Sequence, residues 1–201
     1  MLHKSEKEVV KFKEEYNLND GIVIGHIGTL KEPKNHKFLL EIAKYMTEQN
    51  IDVKLLLVGE GSLRKELEDL AKEYNISDMI HIVGIREDIN VMLHSMDVFV
   101  FPSIFEGLGL VLLEAQAAGL PCIVSEAIQP EADLGLNLFS KLNLSDGVEV
   151  WSQYITKSVN KKEDSLEKIS LAFEEKEYSK EKCISKLMKI YNAKKSDEKV
   201  S

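Results

Sequence analysis

Five short and almost wholly apolar runs recur along this chain: "GIVIGHIG" (21–28), "VKLLLVGEG" (53–61), "MIHIVG" (79–84), "DVFVFP" (97–102) and "LPCIVS" (120–125). Each ends in glycine, proline or serine, and "LNLFSKL" (136–142) is a sixth candidate. The segments between them change period. "KNHKFLLEIAKYMTEQN" sets Phe38, Leu39, Ile42, Ala43 and Met46 at helical spacing, and "SLRKELEDLAKEYN" is amphipathic with Ser62 as expected N-cap. "EDINVMLHSM" predicts a short helix, and "GLVLLEAQAAG" a helix stopped at Gly119. Strands without a polar face must be covered on both sides, so alternating runs of this kind predict a parallel sheet. Right-handed crossovers then give an α/β, Rossmann-like doubly wound sheet of about six strands with helices on both faces.

The expected boundaries are a charged, linker-like segment over 1–20, a Rossmann-like domain over 21–148, C-terminal helices over 149–194 packing on it, and a disordered tail over 195–201. Trp151 and Tyr154, at helical spacing, are expected to hold the helical tail on the sheet.

Acidic residues exceed basic ones by 34 to 26, a net charge of −8, which argues against nucleic acid as a partner. An anionic small molecule needs only a local cradle and stays open. Cys122 and Cys183 read as reduced thiols of a cytoplasmic protein. The first residues have no apolar signal core, and no run reaches 18 apolar residues. There is neither a His/Cys cluster nor an Asp-x-Asp, so no metal site is expected.

In an open parallel sheet, ligands sit beyond the carboxyl ends of the strands. The loops there are rich in glycine, with Gly28, Gly59, Gly84, Gly107 and Gly109, and two lead into helix N-termini, which favour anions. "GHIGTL" is not GxGxxG, so the dinucleotide fingerprint is absent. His26, beside the first loop, reads as packed at a strand end. Glu106 and Glu114 stand in the most apolar stretch of the chain, where a carboxylate without a partner is costly. With a helix starting near Leu108, Glu106 would lie on the rim and Glu114 about 9 Å further along the axis. Two acceptor-only carboxylates so placed suit a ligand rich in hydroxyls. The bland alternative leaves Glu106 solvated and pairs Glu114 with a lysine or arginine.

"PSIFEGLGLVLLEAQAAGLPCIVSEAIQPE" resembles the signature of the C-terminal, donor-binding domain of GT-B-fold retaining glycosyltransferases of the family 4 group, whose hallmark is two glutamates separated by seven residues, here Glu106 and Glu114. The resemblance extends over residues 21–154 and is strongest to exopolysaccharide and capsular polysaccharide transferases. It implies a nucleotide diphosphate sugar as donor substrate, a UDP-sugar being favoured, and no separate cofactor. It implies that Glu106 contacts the donor sugar and Glu114 the ribose. Gly107, Leu108 and Gly109 would approach sugar and phosphates, and Leu110 and Val111 would offer N–H groups to the diphosphate. Lys34 would contact the diphosphate, and Ile85 and Arg86 would frame the nucleobase. Thr29, after Gly28, stands where the family usually has arginine. The resemblance also implies a polysaccharide or lipid-linked acceptor bound by an N-terminal domain that precedes such a segment, so that the chain alone is inactive, and peripheral membrane association of the full-length enzyme. Other readings are a non-catalytic nucleotide-binding module and half of a GT-B-fold sugar-nucleotide 2-epimerase.

Overall fold

A computed structural model describes residues 5–197. By contact density the chain divides into two compact units, one ending at Asp164 and one beginning at Ser165.

The first unit holds a six-stranded sheet: β1 (Ile22–Ile27), β2 (Val53–Val58), β3 (Ile80–Ile82), β4 (Val98–Phe101), β5 (Cys122–Ser125) and β6 (Phe139–Leu142). Its order is β3-β2-β1-β4-β5-β6, and every pairing is parallel. The chain therefore winds outward from β1 on one side and from β4 on the other. β1 and β4 meet at the point where the order reverses, the place where such sheets form a crevice.

Helices α1 (Glu6–Glu15), α4 (Ile89–His94) and α5 (Leu110–Ala117) cover one face, packing around Leu56, Phe99, Phe101, Cys122 and Val124. Helices α2 (His36–Glu48), α3 (Arg64–Glu73) and α6 (Gly147–Ser158) cover the other, around Ile24, Leu55, Leu57, Val98, Val100 and Ile123. Alternate residues of one strand thus enter opposite cores, as the pleat requires.

Three local expectations are corrected. The segment before Gly21 is not a bare linker: α1 inserts Val9 and Phe12 into the core beside α4. Two buried apolar side chains suffice to anchor an otherwise charged helix, and their spacing of three is helical. Helix α3 begins at Arg64 with Leu63 at its N-cap, so Ser62 does not cap it. Tyr154 is exposed, whereas Trp151 is fully buried, donates from Nε1 to the Asn143 carbonyl at 2.9 Å and meets the Phe38 ring edge-on.

The second unit contains α7 (Leu166–Glu175), with Ser165 as a side-chain N-cap accepting from the Lys168 N–H, and α8 (Lys180–Asp197). Of the expected disordered tail over 195–201, α8 takes in the part up to Asp197, and residues 198–201 lie outside the described residues. Both cysteines are free, Cys122 buried and Cys183 exposed. Among the described residues no helix is long and apolar enough to cross a membrane, and no group of three His, Cys, Asp or Glu could hold a metal ion.

Candidate functional site

The loops that follow β1 and β4 flank the crevice, and they are joined. The Ile104 N–H donates to the Pro33 carbonyl at 2.8 Å. Lys34, from the first loop, makes an ion pair with Glu106, from the second. Both side chains are about four-fifths buried. The Lys34 ammonium also stands 4.7 Å from the centroid of the Phe101 ring, a cation–π contact on the floor of the crevice. Glu106 is therefore not the solvated carboxylate of the bland alternative. It has a partner, and that partner comes from the loop where a diphosphate contact is expected.

Gly109, at φ +66°, turns the second loop into α5. A Cβ there would lie 3.1 Å from Leu112 Cδ1 and 3.6 Å from Glu106 Cγ, so glycine leaves room for both side chains. Helix α5 starts at Leu110 rather than near Leu108, which brings Glu114 to about 6 Å along the axis from its first residue. The first N–H groups of a helix lack partners within it, so Leu110 and Val111 present donors at this point. Leu108 packs partly buried against the core. Gly107 has open space around its Cα, and its N–H donates to Glu106 Oε1 at 3.2 Å.

Glu114 is half-buried, and among the described residues no hydrogen bond or ion pair to its carboxylate is present. Desolvation raises its pKa above the usual carboxylate value. The structure thus reverses the bland alternative, in which Glu114 is the paired carboxylate and Glu106 the free one.

The remaining sequence-predicted residues lie on the same rim but are engaged differently. Thr29 is exposed. Gly28 is bonded through its N–H to the Val58 carbonyl at 2.9 Å, and a Cβ on it would lie 3.1 Å from His26 Nε2 and 3.5 Å from Lys34 Cε. Gly59, at φ +143°, is held between loops: a Cβ there would fall 2.0 Å from the Gly28 carbonyl oxygen, and its N–H donates to the Gly84 carbonyl at 2.8 Å. Gly84 bridges back to Gly59. Glycine at 59 is thus required by loop-on-loop packing, whatever the ligand, and glycine at 84 is favoured by its φ of +75°. Ile85 is 79% exposed. Arg86 forms a two-pronged ion pair with Asp88, at 2.8 and 2.7 Å, and lies over the Phe12 ring. Asp88 raises the Arg86 pKa and is itself lowered by it.

Sequence reasoning missed two parts of the site. Phe101 reads only as a strand residue, yet it is the surface on which Lys34 rests. The apolar pair Ile104 and Phe105, the latter 78% exposed, forms the lip of the second loop. The signal for the lip was present as two large apolar residues in a loop; that for Phe101 was not, because its contact is made by a distant segment.

Residues 8–181 match the family model for glycosyl transferases group 1. The chain belongs to the group 1 glycosyl transferases. EpsF of Bacillus subtilis (strain 168), which carries a glycosyltransferase name, is 37% identical over 173 residues, covering 86% of this chain and 45% of the relative. The UDP-Gal:alpha-D-GlcNAc-diphosphoundecaprenol alpha-1,3-galactosyltransferase of Escherichia coli is 39% identical over 109 residues, covering 53% and 28%. This member of the family therefore spans less than half the length of these curated relatives. The fold is shared with Anabaena HepE in complex with UDP-glucose (TM-score 0.72, 18% identity, 85% of this chain and 49% of that one). It is also shared with a glycosyltransferase from Rickettsia africae (TM-score 0.75, 18% identity, 95% and 52%).

Proposed function

We propose that this chain is the C-terminal, donor-binding half of a retaining glycosyltransferase that takes a sugar from a nucleotide diphosphate sugar, a UDP-sugar being favoured, and adds it to a growing surface polysaccharide or lipid-linked acceptor. The observation that carries the reading is the meeting of Lys34 and Glu106 across the crevice between β1 and β4, beside the N-terminus of α5 and on the rim that also supplies the unpartnered Glu114. The names of relatives and neighbours that mention UDP and a UDP-sugar support the same donor class.

In this reading Glu114, desolvated and with its carboxylate unpartnered among the described residues, accepts from the ribose hydroxyls. The N–H groups of Leu110 and Val111 and the Lys34 ammonium meet the diphosphate. As the bond between the anomeric carbon and the phosphate oxygen breaks, negative charge grows on the leaving diphosphate, and these preset donors stabilise it without reorganising. Glu106 holds donor-sugar hydroxyls, and the open space at Gly107 lets the backbone approach them. Ile85 and Arg86 border the base. The acceptor is assigned to the part of such proteins that this chain does not match, and any attachment to the cytoplasmic membrane face to the full-length enzyme.

Calorimetric titration of the chain with UDP, GDP and ADP tests this. Binding of a nucleoside diphosphate is expected without a divalent ion. At ligand near ten times Kd, linkage adds about 1.4 kcal/mol, which raises Tm by roughly 3–6 °C for a domain of this size. No binding of any of the three at millimolar concentration would overturn the reading. Sugar transfer by the isolated 201-residue chain is not expected; turnover with a UDP-sugar and a saccharide acceptor would contradict the division of labour.

A further inference from the structure

The parallel ladder between β1 and β4 is short. It pairs Ile24 with Val98 and Gly25 with Phe99 and then stops, although β4 continues to Phe101 alongside β5 and β1 continues to Ile27 alongside β2. The two strands part there, and one side chain spans the gap. His26 Nδ1 lies 2.9 Å from the Val100 carbonyl oxygen. A carbonyl only accepts, so Nδ1 carries the proton and donates. His26 is fully buried, with its ring stacked near those of Phe99 and Phe101 and edge-on to the His36 ring at 4.7 Å.

The other side of the imidazole faces the first loop. His26 Nε2 has no hydrogen-bond partner among the described residues, and it converges with Lys34 Cε and Cδ on the space beside Gly28. The imidazole edge and the Lys34 stem thus border the same space beside Gly28, and the ammonium at the end of that stem lies over the Phe101 ring and pairs with Glu106. A four-carbon stem on its own has many rotamers; here its end is held by the Phe101 ring and the Glu106 ion pair, with the imidazole edge bordering its path.

We propose that His26 is a positioning residue of the donor site: it fixes the width of the crevice through its bond to Val100 and aims Lys34 at the diphosphate position. The first part of the proposal needs only the structure, and the second rests on the functional reading above. His26 touches no reacting atom and acts through Lys34.

The test is a double-substitution cycle with UDP as the probe, measured by calorimetry on the full chain. His26→Asn keeps a donor at the position of Nδ1 and removes the rest of the ring; His26→Phe keeps the ring and removes the donor. Each alone is expected to weaken UDP binding about tenfold with the fold intact by circular dichroism. In a Lys34→Met background each is expected to cost nothing further, because the residue through which His26 acts is gone. Losses that multiply, or wild-type affinity in both His26 variants, would overturn the proposal. A second measurement stands apart from any ligand. The Lys34 ammonium protons, slowed in exchange by the Glu106 ion pair, are expected as a ¹⁵N-NMR signal that Lys34→Met identifies. That signal should vanish in His26→Asn. Its persistence there would sink the proposal even if the chain bound no nucleotide, while its loss beside absent UDP binding would refute the functional reading alone.

Discussion

The rim of this sheet has two halves built on different terms. On the side of β1, β2 and β3 the loops are knitted to one another: Gly28 bonds Val58, Leu30 bonds Glu60, Gly59 bonds Gly84 and Leu63 bonds Leu30, all through backbone groups. A Cβ at Gly59 or Gly61 would fall 2.0 or 2.3 Å from a neighbouring carbonyl oxygen. On the side of β4 the loop is tied at its start, with Ser103 buried and Ile104 bonded to Pro33, and opens around Gly107. Gly107 has nothing within 4 Å of a would-be Cβ, and Ile104, Phe105 and Leu110 are exposed. Both halves are rich in glycine, yet at Gly59 and Gly61 the missing side chain admits protein backbone and at Gly107 it leaves open space. A glycine in a βα loop therefore says little by itself; what lies within 4 Å of it decides whether it belongs to the frame or to the site.

The knitted half is most vulnerable at Gly59. Gly59→Ala is expected to destabilise the chain by about 3–5 kcal/mol, since it adds overlap with the Gly28 carbonyl to a strained positive φ. Thermal denaturation should show a fall in Tm of roughly 10 °C. A change of only a degree or two would mean that the knitted half is slack.

Acid should loosen the same half next. Burial, then the nearby Lys34 charge, lowers the His36 pKa to about 4, and His26 is lowered for the same first reason. An unfolded histidine titrates near about 6.5. Above that value both states are neutral and the stability is fully present. As pH falls from about 6.5 to about 4, the unfolded chain takes up a proton that the folded one refuses, so stability is lost, by about 3 kcal/mol for His36. Denaturant midpoints between pH 7 and 4, compared with those of His36→Phe, should show the slope in the wild type and a reduced slope in the variant. Equal slopes would assign the acid sensitivity elsewhere.

Glu114→Gln sharpens the contrast from the open side. It keeps shape and removes the charge that strengthens acceptance from ribose hydroxyls, so UDP binding should weaken by about 1–2 kcal/mol. Stability should hold or rise slightly, because a half-buried, unpartnered carboxylate is lost. Marked unfolding with unchanged affinity per folded molecule would make Glu114 a structural residue. The smallest effect on stability is expected at Gly107→Ala, less than about 0.5 kcal/mol given its empty surroundings, together with a loss of UDP-glucose affinity relative to UDP. Undiminished preference for the sugar nucleotide would show that nothing approaches Gly107.

Most elements and the fold class were legible in the residues alone. Runs such as "VKLLLV" and "DVFVFP" carry their strand identity in adjacent residues, and "GLVLLEAQAAG" carries both ends of α5, with Gly109 before it and Gly119 after it at positive φ. All six strands and the sheet that joins them were legible for that reason, as was the pair of glutamates. Helix α1 was not, because "EKEVVKFKEE" is mostly charged and its two anchors only count once α4 lies beneath them. What the tertiary structure alone decided is which groups meet. Lys34 and Glu106 are 72 residues apart, and His26 and Val100 are 74 apart. No local periodicity encodes such pairs; they follow from the strand order, which brings the ends of β1 and β4 together. The same order settled which carboxylate is partnered, placing a cation within reach of Glu106, while among the described residues none is ion-paired with Glu114.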